Sequence, residues 1–362
     1  ASGNTAVGYV ALPNNTTGSN NTALGYITLG DNTTGANNTA LGYNAMAANT
    51  TADNNTAVGK DALLANTTGT RNAAVGTFSL DSNTTANDNT GMGYGTLATN
   101  TTGINNTAVG SSALVANTTG LDNTAVGAGA LDANTTANNN SAFGRNALGV
   151  NTTGTGNTGL GYATLDASTT GNYNTGVGNL ALSSNTTASN NTGVGHQALY
   201  LNTTGSNNTA VGYLTLDANT TGVENVAIGD QALTTNTTAS YNTSVGGESM
   251  KANTTGAQNA ALGQRALFAN TTGSYNSSVG LSSLGHNTTG SNNAAVGYLA
   301  LYENTTGTEN VAVGVEALQA NTTGGSNTAI GMRAMEATTT GGNNTAVGVA
   351  AMMVNTTGVF NT

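Results

Sequence analysis

Apolar and polar positions along this chain follow a period that belongs neither to a helix nor to an alternating strand. A large apolar residue, a glycine, a second large apolar residue and an Asn-Thr-Thr cluster return every seventeen residues. The glycine keeps that step without a slip from Gly8 through Gly25, Gly42 and Gly59 to Gly348, which makes twenty-one repeats over residues 3–359. With this glycine as position six, the consensus is N-N-T-A-V-G-Y-x-A-L-x-x-N-T-T-G-S. A unit this short cannot enclose a core alone, so repeats must stack on their neighbours.

Within one repeat, Thr and Val alternate with smaller residues over positions two to five and read as a strand that the glycine ends. Positions seven to ten read as a second short strand. Asn-Thr-Thr-Gly at thirteen to sixteen reads as a corner or a short third strand. Helix is disfavoured by a glycine or an Asn-Thr cluster every few residues. Position five is always large and apolar, as in Val7 and Leu24, and position ten is always Leu or Met, as in Leu12 and Leu29. These two columns are expected to form the core. Position four takes only Ala, Gly or Ser and lies on the opposite face of the strand, so it is expected to press against another surface, a second chain before the far wall of the same coil. The expected architecture is all-β: a parallel β-solenoid of the left-handed β-roll type, one repeat per turn and twenty-one turns, as a single repetitive domain over residues 1–362. Adjacent strands lie about 4.8 Å apart, which gives a rod of roughly 100 Å.

Composition narrows the function. Charged residues make up 6 % of the chain, and all of them fall in positions one, seven, eight, eleven, twelve and seventeen, which must therefore face water. Net charge is −10 with only six basic residues, so nucleic acid and anionic lipid surfaces are excluded as partners. There is no cysteine and no apolar run long enough to insert into a membrane. Neither end carries a capping sequence, as expected of a segment of a longer fibre or of a unit joined end to end.

The candidate chemistry is structural. Asn occupies position two in every repeat, as in Asn4, Asn21, Asn38, Asn55 and Asn72, and like side chains one rung apart can bond amide to carbonyl in a ladder. Asn-Thr-Thr at position thirteen is a glycosylation sequon at Asn15, Asn32, Asn49, Asn66, Asn83 and onward, with Ser168 and Thr338 replacing Asn in two repeats. Further Asn-Asn-Thr sequons begin at Asn20, Asn37, Asn54, Asn105, Asn190, Asn207 and Asn343. The Thr columns raise ice binding, but Thr16 and Thr17 are adjacent and no Thr-x-Thr pair is sustained. Asp81, Asp132, Asp166 and Asp217 share position eleven without occupying successive rungs, so no calcium ladder is expected. His196 and His286 read as surface histidines, and the Tyr9, Tyr26 and Tyr43 column as packing that covers an edge, with ligand contact as the lesser alternative. No catalytic, cofactor or metal set emerges, and the chain does not read as an enzyme.

The stretches Asn21-Thr22-Ala23-Leu24-Gly25 with Thr28, and Asn225-Val226-Ala227-Ile228-Gly229 with Ala232, resemble the head repeats of YadA-like trimeric autotransporter adhesins, with their N-S-x-A-I-G-x-x-A motif. The whole repeat is also similar to bacterial and phage tail-fibre-like shafts. The adhesin head usually steps by about fourteen residues; this chain uses seventeen and adds the Asn-Thr-Thr-Gly corner. The resemblance implies an extracellular, cell-surface fibre or adhesin shaft, a homotrimer, with a carbohydrate or other host-surface receptor as partner. The alternative is a glycosylated surface filament of coils joined end to end.

Overall fold

The computed structural model describes all 362 residues. The protein is an all-β parallel solenoid with no helix: each repeat contributes one three-residue strand, from β1 (Thr5–Val7) and β2 (Thr22–Leu24) to β21 (Thr345–Val347), always at positions three to five. The chain forms two compact units, Ala1–Leu180 and Ala181–Thr362. In each, consecutive strands pair in parallel with a register of one repeat. Thr5, Ala6 and Val7 lie opposite Thr22, Ala23 and Leu24 in the first unit, and Thr209, Ala210 and Val211 lie opposite Val226, Ala227 and Ile228 in the second.

Only one strand forms per turn. The second strand expected at positions seven to ten is replaced by turns, and Asn-Thr-Thr-Gly is a bend. The reason is the backbone. Positions eight and ten are left-handed in every repeat, as at Ile27 (φ 49°), Leu29 (φ 49°), Asp61 (φ 54°) and Leu63 (φ 52°), and two such residues bracketing a third cannot lie in an extended strand. Inter-rung bonding continues through these turns all the same. The Ile27 amide donates to the Tyr9 carbonyl at 3.0 Å, the Leu29 amide to the Ala45 carbonyl at 3.2 Å, and the Thr33 amide to the Thr50 carbonyl at 2.9 Å. Parallel stacking therefore satisfies backbone groups around most of the coil, although only three residues per turn have strand geometry.

The core sits elsewhere on the strand than the apolar pattern suggests. Position ten is internal as expected: Leu29 and its equivalents are fully buried, and Leu12, in the first rung, is half-buried. Position five is not. Val7 is 55 % exposed and Leu24 45 %. The inward residue of each strand is position four, where Ala23, Ala40, Ala57 and Ala74 are completely buried. What position four presses against is the far wall of its own coil. A Cβ added to Gly159 would lie 3.5 Å from Leu148 Cγ, and one added to Gly193 would lie 3.2 Å from Leu182 Cγ. With that much space, nothing beyond Ala or Ser fits. The coil is thus too narrow for two large apolar columns, and the strand alternation sends the larger one outward.

The invariant glycine at position six answers two demands at once. Gly25 has φ +144°, and a Cβ there would sit 2.4 Å from the Gly42 carbonyl oxygen of the next rung. Left-handed geometry and direct backbone contact both exclude a side chain.

Candidate functional site: asparagine ladders and an apolar strand face

Two asparagine columns run inside the coil, with different bonding. At position two, the side-chain oxygen of each Asn accepts the backbone amide of the Asn one rung on: Asn21 N–H bonds Asn4 Oδ1 at 2.8 Å, Asn38 bonds Asn21 at 3.0 Å, and Asn55 and Asn72 continue the series. The Nδ2 groups donate to position-sixteen carbonyls, as from Asn21 to Gly35 at 2.8 Å. This column clamps side chain to backbone, and direct amide-to-amide bonds are secondary, such as Asn123 Nδ2 to Asn106 Oδ1 at 3.2 Å.

The amide-to-carbonyl ladder expected at position two is best developed at position thirteen. Asn32 Nδ2 donates to Asn15 Oδ1 at 2.9 Å and to the Gly35 carbonyl at 3.0 Å. Asn49, Asn66 and Asn83 repeat the pattern at 2.7, 3.1 and 2.9 Å. Asn32, Asn49, Asn66 and Asn83 are all fully buried, while Asn15 in the first rung is partly so. Their candidacy for glycosylation is overturned in the folded coil, because the nitrogen that would carry a sugar is enclosed and committed to the ladder. The separate sequons at Asn20, Asn37, Asn54, Asn105, Asn190, Asn207 and Asn343 are exposed. They stand at position one, which is left-handed (Asn20 φ 58°, Asn37 φ 58°), a conformation that Asn tolerates better than most residues.

Where the ladder loses its Asn, unpaired atoms appear. Asn151 Oδ1 faces the rung of Ser168, whose Oγ also lacks a partner; Asn321 Oδ1 and Asn355 Nδ2 flank Thr338; all four are buried without a hydrogen bond. Thr338 Oγ1 instead reaches the Asn355 carbonyl at 2.8 Å.

The outward side of each strand carries positions three and five. The exposed position-five residues include Leu41, Met92, Phe143 and Leu160 in the first unit and Ile228, Leu262, Val296 and Ile330 in the second. No strand contains a charged residue. Around β16 (Ala260–Leu262), a largely apolar depression is lined by Val245, Leu262 and Val279 with Thr243, Ser277 and Ala260. Sequence reasoning assigned this column to the interior. The available signal was the confinement of position four to tiny residues, which marks the tighter side of the strand.

Beside the face, Tyr9, Tyr26 and Tyr43 stack with ring centroids 5.1 Å apart and planes within 11° of parallel. They remain 68 %, 41 % and 48 % exposed and form an open aromatic ladder packed ring on ring. His196 stacks on Tyr213 at 5.5 Å, and His286 pairs with Glu303 at 2.8 Å. The position-fourteen threonines use their hydroxyls within the coil, as Thr33 Oγ1 does to the Thr50 carbonyl at 3.1 Å, while position fifteen faces solvent.

Partial burial raises Asp81, Asp132, Asp166 and Asp217 above the ordinary carboxylate range, with the backbone amides near Asp217 opposing the shift. Arg71 does the reverse to Asp88, which lies 2.6 Å away and is held below that range. No group of three or more His, Cys, Asp or Glu gathers to hold a metal. The chain matches no protein-family model, and comparison with curated proteins gives no match either.

Proposed function

We propose that this chain is the structural shaft of an extracellular fibre or adhesin, and that copies of it associate side by side, as a homotrimer, through the outward strand face. The observation that carries this reading is the column of large apolar residues at position five, exposed in fourteen of the twenty-one rungs, half-buried in the other seven, and carried by strands free of charge. Contiguous apolar strips of this length mark contact surfaces on soluble proteins. A partner must offer apolar groups at the same rung interval over many rungs, and a second copy of this chain does so by construction. The number three comes from the resemblance to trimeric adhesin repeats. The resemblance also supplies the cell-surface setting and a carbohydrate or host-surface receptor.

The test is the mass of the purified protein by light scattering. The expected value is three chains, falling to one when Met92→Lys and Leu262→Lys are introduced together, with the circular dichroism of the coil unchanged. A wild-type monomer sinks the proposal, and a mass that grows with concentration replaces the trimer by the end-to-end filament.

A further inference from the structure

In a solenoid, what repeats serves the scaffold, so a local cluster that breaks the repeat calls for its own account. The densest such cluster lies in the second unit, over the rungs that hold Glu248 to Glu303. It contains Lys251 and Arg265, two of the six basic residues, and His286, one of two histidines. It also contains Phe268 and Tyr302 at position eleven, with Gly285 between them at the same position.

Arg265, Phe268, Ser282, Gly285, His286 and Tyr302 line a cavity of about 60 Å³. That is ample room for a small polar group such as a carboxylate, since a single water needs only about 10–15 Å³ by the same measure. Gly285 makes the recess: a Cβ there would fall 2.7 Å from the Tyr302 ring, so the ring lies directly on the glycine backbone. On the other side, the Arg265 guanidinium lies 4.3 Å from the centre of the Phe268 ring. Stacking fixes the plane of the guanidinium and leaves its hydrogen-bonding edge open.

The nearby acids are already engaged. Glu248 takes Lys251 Nζ at 2.8 Å and pairs with Arg265 at Nε over 3.5 Å, a longer ionic contact on the side of the guanidinium away from its terminal nitrogens. Glu303 holds His286 Nδ1 at 2.8 Å, which orients the imidazole and leaves Nε2 for another partner. The His286 ring itself is 4.3 Å from Tyr302. The recess therefore joins a pre-oriented fork for a planar anion, a second ring nitrogen, a hydroxyl at Ser282 and the uncovered sides of two half-buried aromatic rings, one face of Phe268 being taken by Arg265 and one of Tyr302 by Gly285.

We propose that this recess binds an acidic sugar, a hexuronate residue, with the carboxylate on Arg265 and the pyranose ring against Tyr302 and Phe268. A carboxylate matches the guanidinium fork in two parallel hydrogen bonds. The C–H face of a sugar ring matches an aromatic surface, which a bare inorganic anion does not use. His286 Nε2 and the Ser282 hydroxyl are placed to meet ring hydroxyls. None of the six lining residues belongs to a strand, so the site is independent of the face proposed for assembly.

The experiment is saturation-transfer NMR on the intact protein with sodium glucuronate, glucose and inorganic phosphate as separate probes. Glucuronate is expected to bind in the millimolar range, with transfer to its ring protons, and to lose at least tenfold in affinity in Arg265→Gln and in Tyr302→Ala. Arg333→Gln, which also removes an exposed arginine at position eight, is expected to change nothing. If Tyr302→Ala lowers the melting temperature, Arg265→Lys decides: it keeps the charge, loses the fork, and is expected to bind at least fivefold more weakly. Glucose binding as well as glucuronate, phosphate competing at equal concentration, or an Arg265→Gln protein that binds like wild type would each overturn the assignment. Light scattering of Arg265→Gln separates this result from the assembly, whose mass is expected to be unaffected.

Discussion

At the scale of single residues, the structure is governed by whether each buried polar atom finds its partner one rung away. Thr338→Asn restores a ladder member between Asn321 Oδ1 and Asn355 Nδ2, both buried and unpaired. Because an unsatisfied buried polar group costs roughly 1–3 kcal/mol, the variant should gain about 1–2 kcal/mol in chemical denaturation after the lost Thr338 hydroxyl bond is deducted. A variant no more stable than wild type would show that these two groups are satisfied in another way. Asp217 offers a pH-dependent counterpart, with one buried oxygen, Oδ1, unpaired and its pKa raised by burial. The folded state then holds that proton more tightly than the unfolded state, so the favourable contribution is present below the unfolded pKa and is lost as pH rises through the folded one. Asp217→Asn should accordingly melt higher than wild type at pH 7, with the difference narrowing as pH falls through the raised folded pKa toward the unfolded value of about 3.9. A difference that stays constant over this range would assign the effect to packing.

At the scale of the element, the turn and not the strand shapes the coil. Position six is glycine in every repeat, whereas position sixteen is Gly in most repeats and Ala in five, as at Gly35 and Ala52. Both are tight, since a Cβ at Gly212 would meet the Gly229 carbonyl at 2.5 Å and one at Gly222 would meet the Ala239 carbonyl at 2.3 Å. The difference is the backbone: Gly212 has φ +140°, and Gly222 is not in the positive region. Gly212→Ala should therefore cost at least about 2 kcal/mol, through strain and displacement of the neighbouring rung. Gly222→Ala should cost far less, because a small backbone adjustment already accommodates Ala at Ala52 and Ala239. Equal losses in urea unfolding would refute this division. The strand itself was legible in the Thr-Ala-Val triplets. The absence of a second strand was not, because nothing in a Tyr-x-Ala-Leu stretch announces left-handed residues at positions eight and ten, and leucine seldom adopts that conformation. Inter-rung hydrogen bonds and complete burial hold Leu29 and its equivalents there.

At the scale of the whole molecule, an uncharged apolar face predicts how association responds to solvent. Without ion pairs in the contact, sodium chloride up to about 0.5 M should leave the oligomer intact, since screening acts on charges and there are none in the strands. Ammonium sulfate should strengthen it through preferential exclusion from apolar surface. An oligomer that dissociates in sodium chloride would place the contact on the charged positions one, seven, eight or eleven. In the proposed assembly, the net charge of −10 sets the surfaces outside the contact to repel one another.

The step of seventeen, the parallel stacking of like on like, the all-β class and the inward column at position ten were readable from the chain alone. A strict period in one dimension forces identical environments in successive rungs, whatever the shape of a single turn. Which face of the strand looks inward was decided only in three dimensions. Positions four and five, as at Ala23 and Leu24, are both restricted, and size favours the larger one for the core when the width of the coil is unknown. That width is set by the left-handed turns at positions eight and ten, which bring the far wall so close that Leu29 and its neighbours fill the interior, leaving space for an alanine methyl opposite and turning the larger side chain out. The same closeness made position thirteen the more regular amide-to-amide ladder, as from Asn32 to Asn15, while at position two the backbone amide of the next rung takes the carboxamide oxygen first and direct amide-to-amide bonds come second.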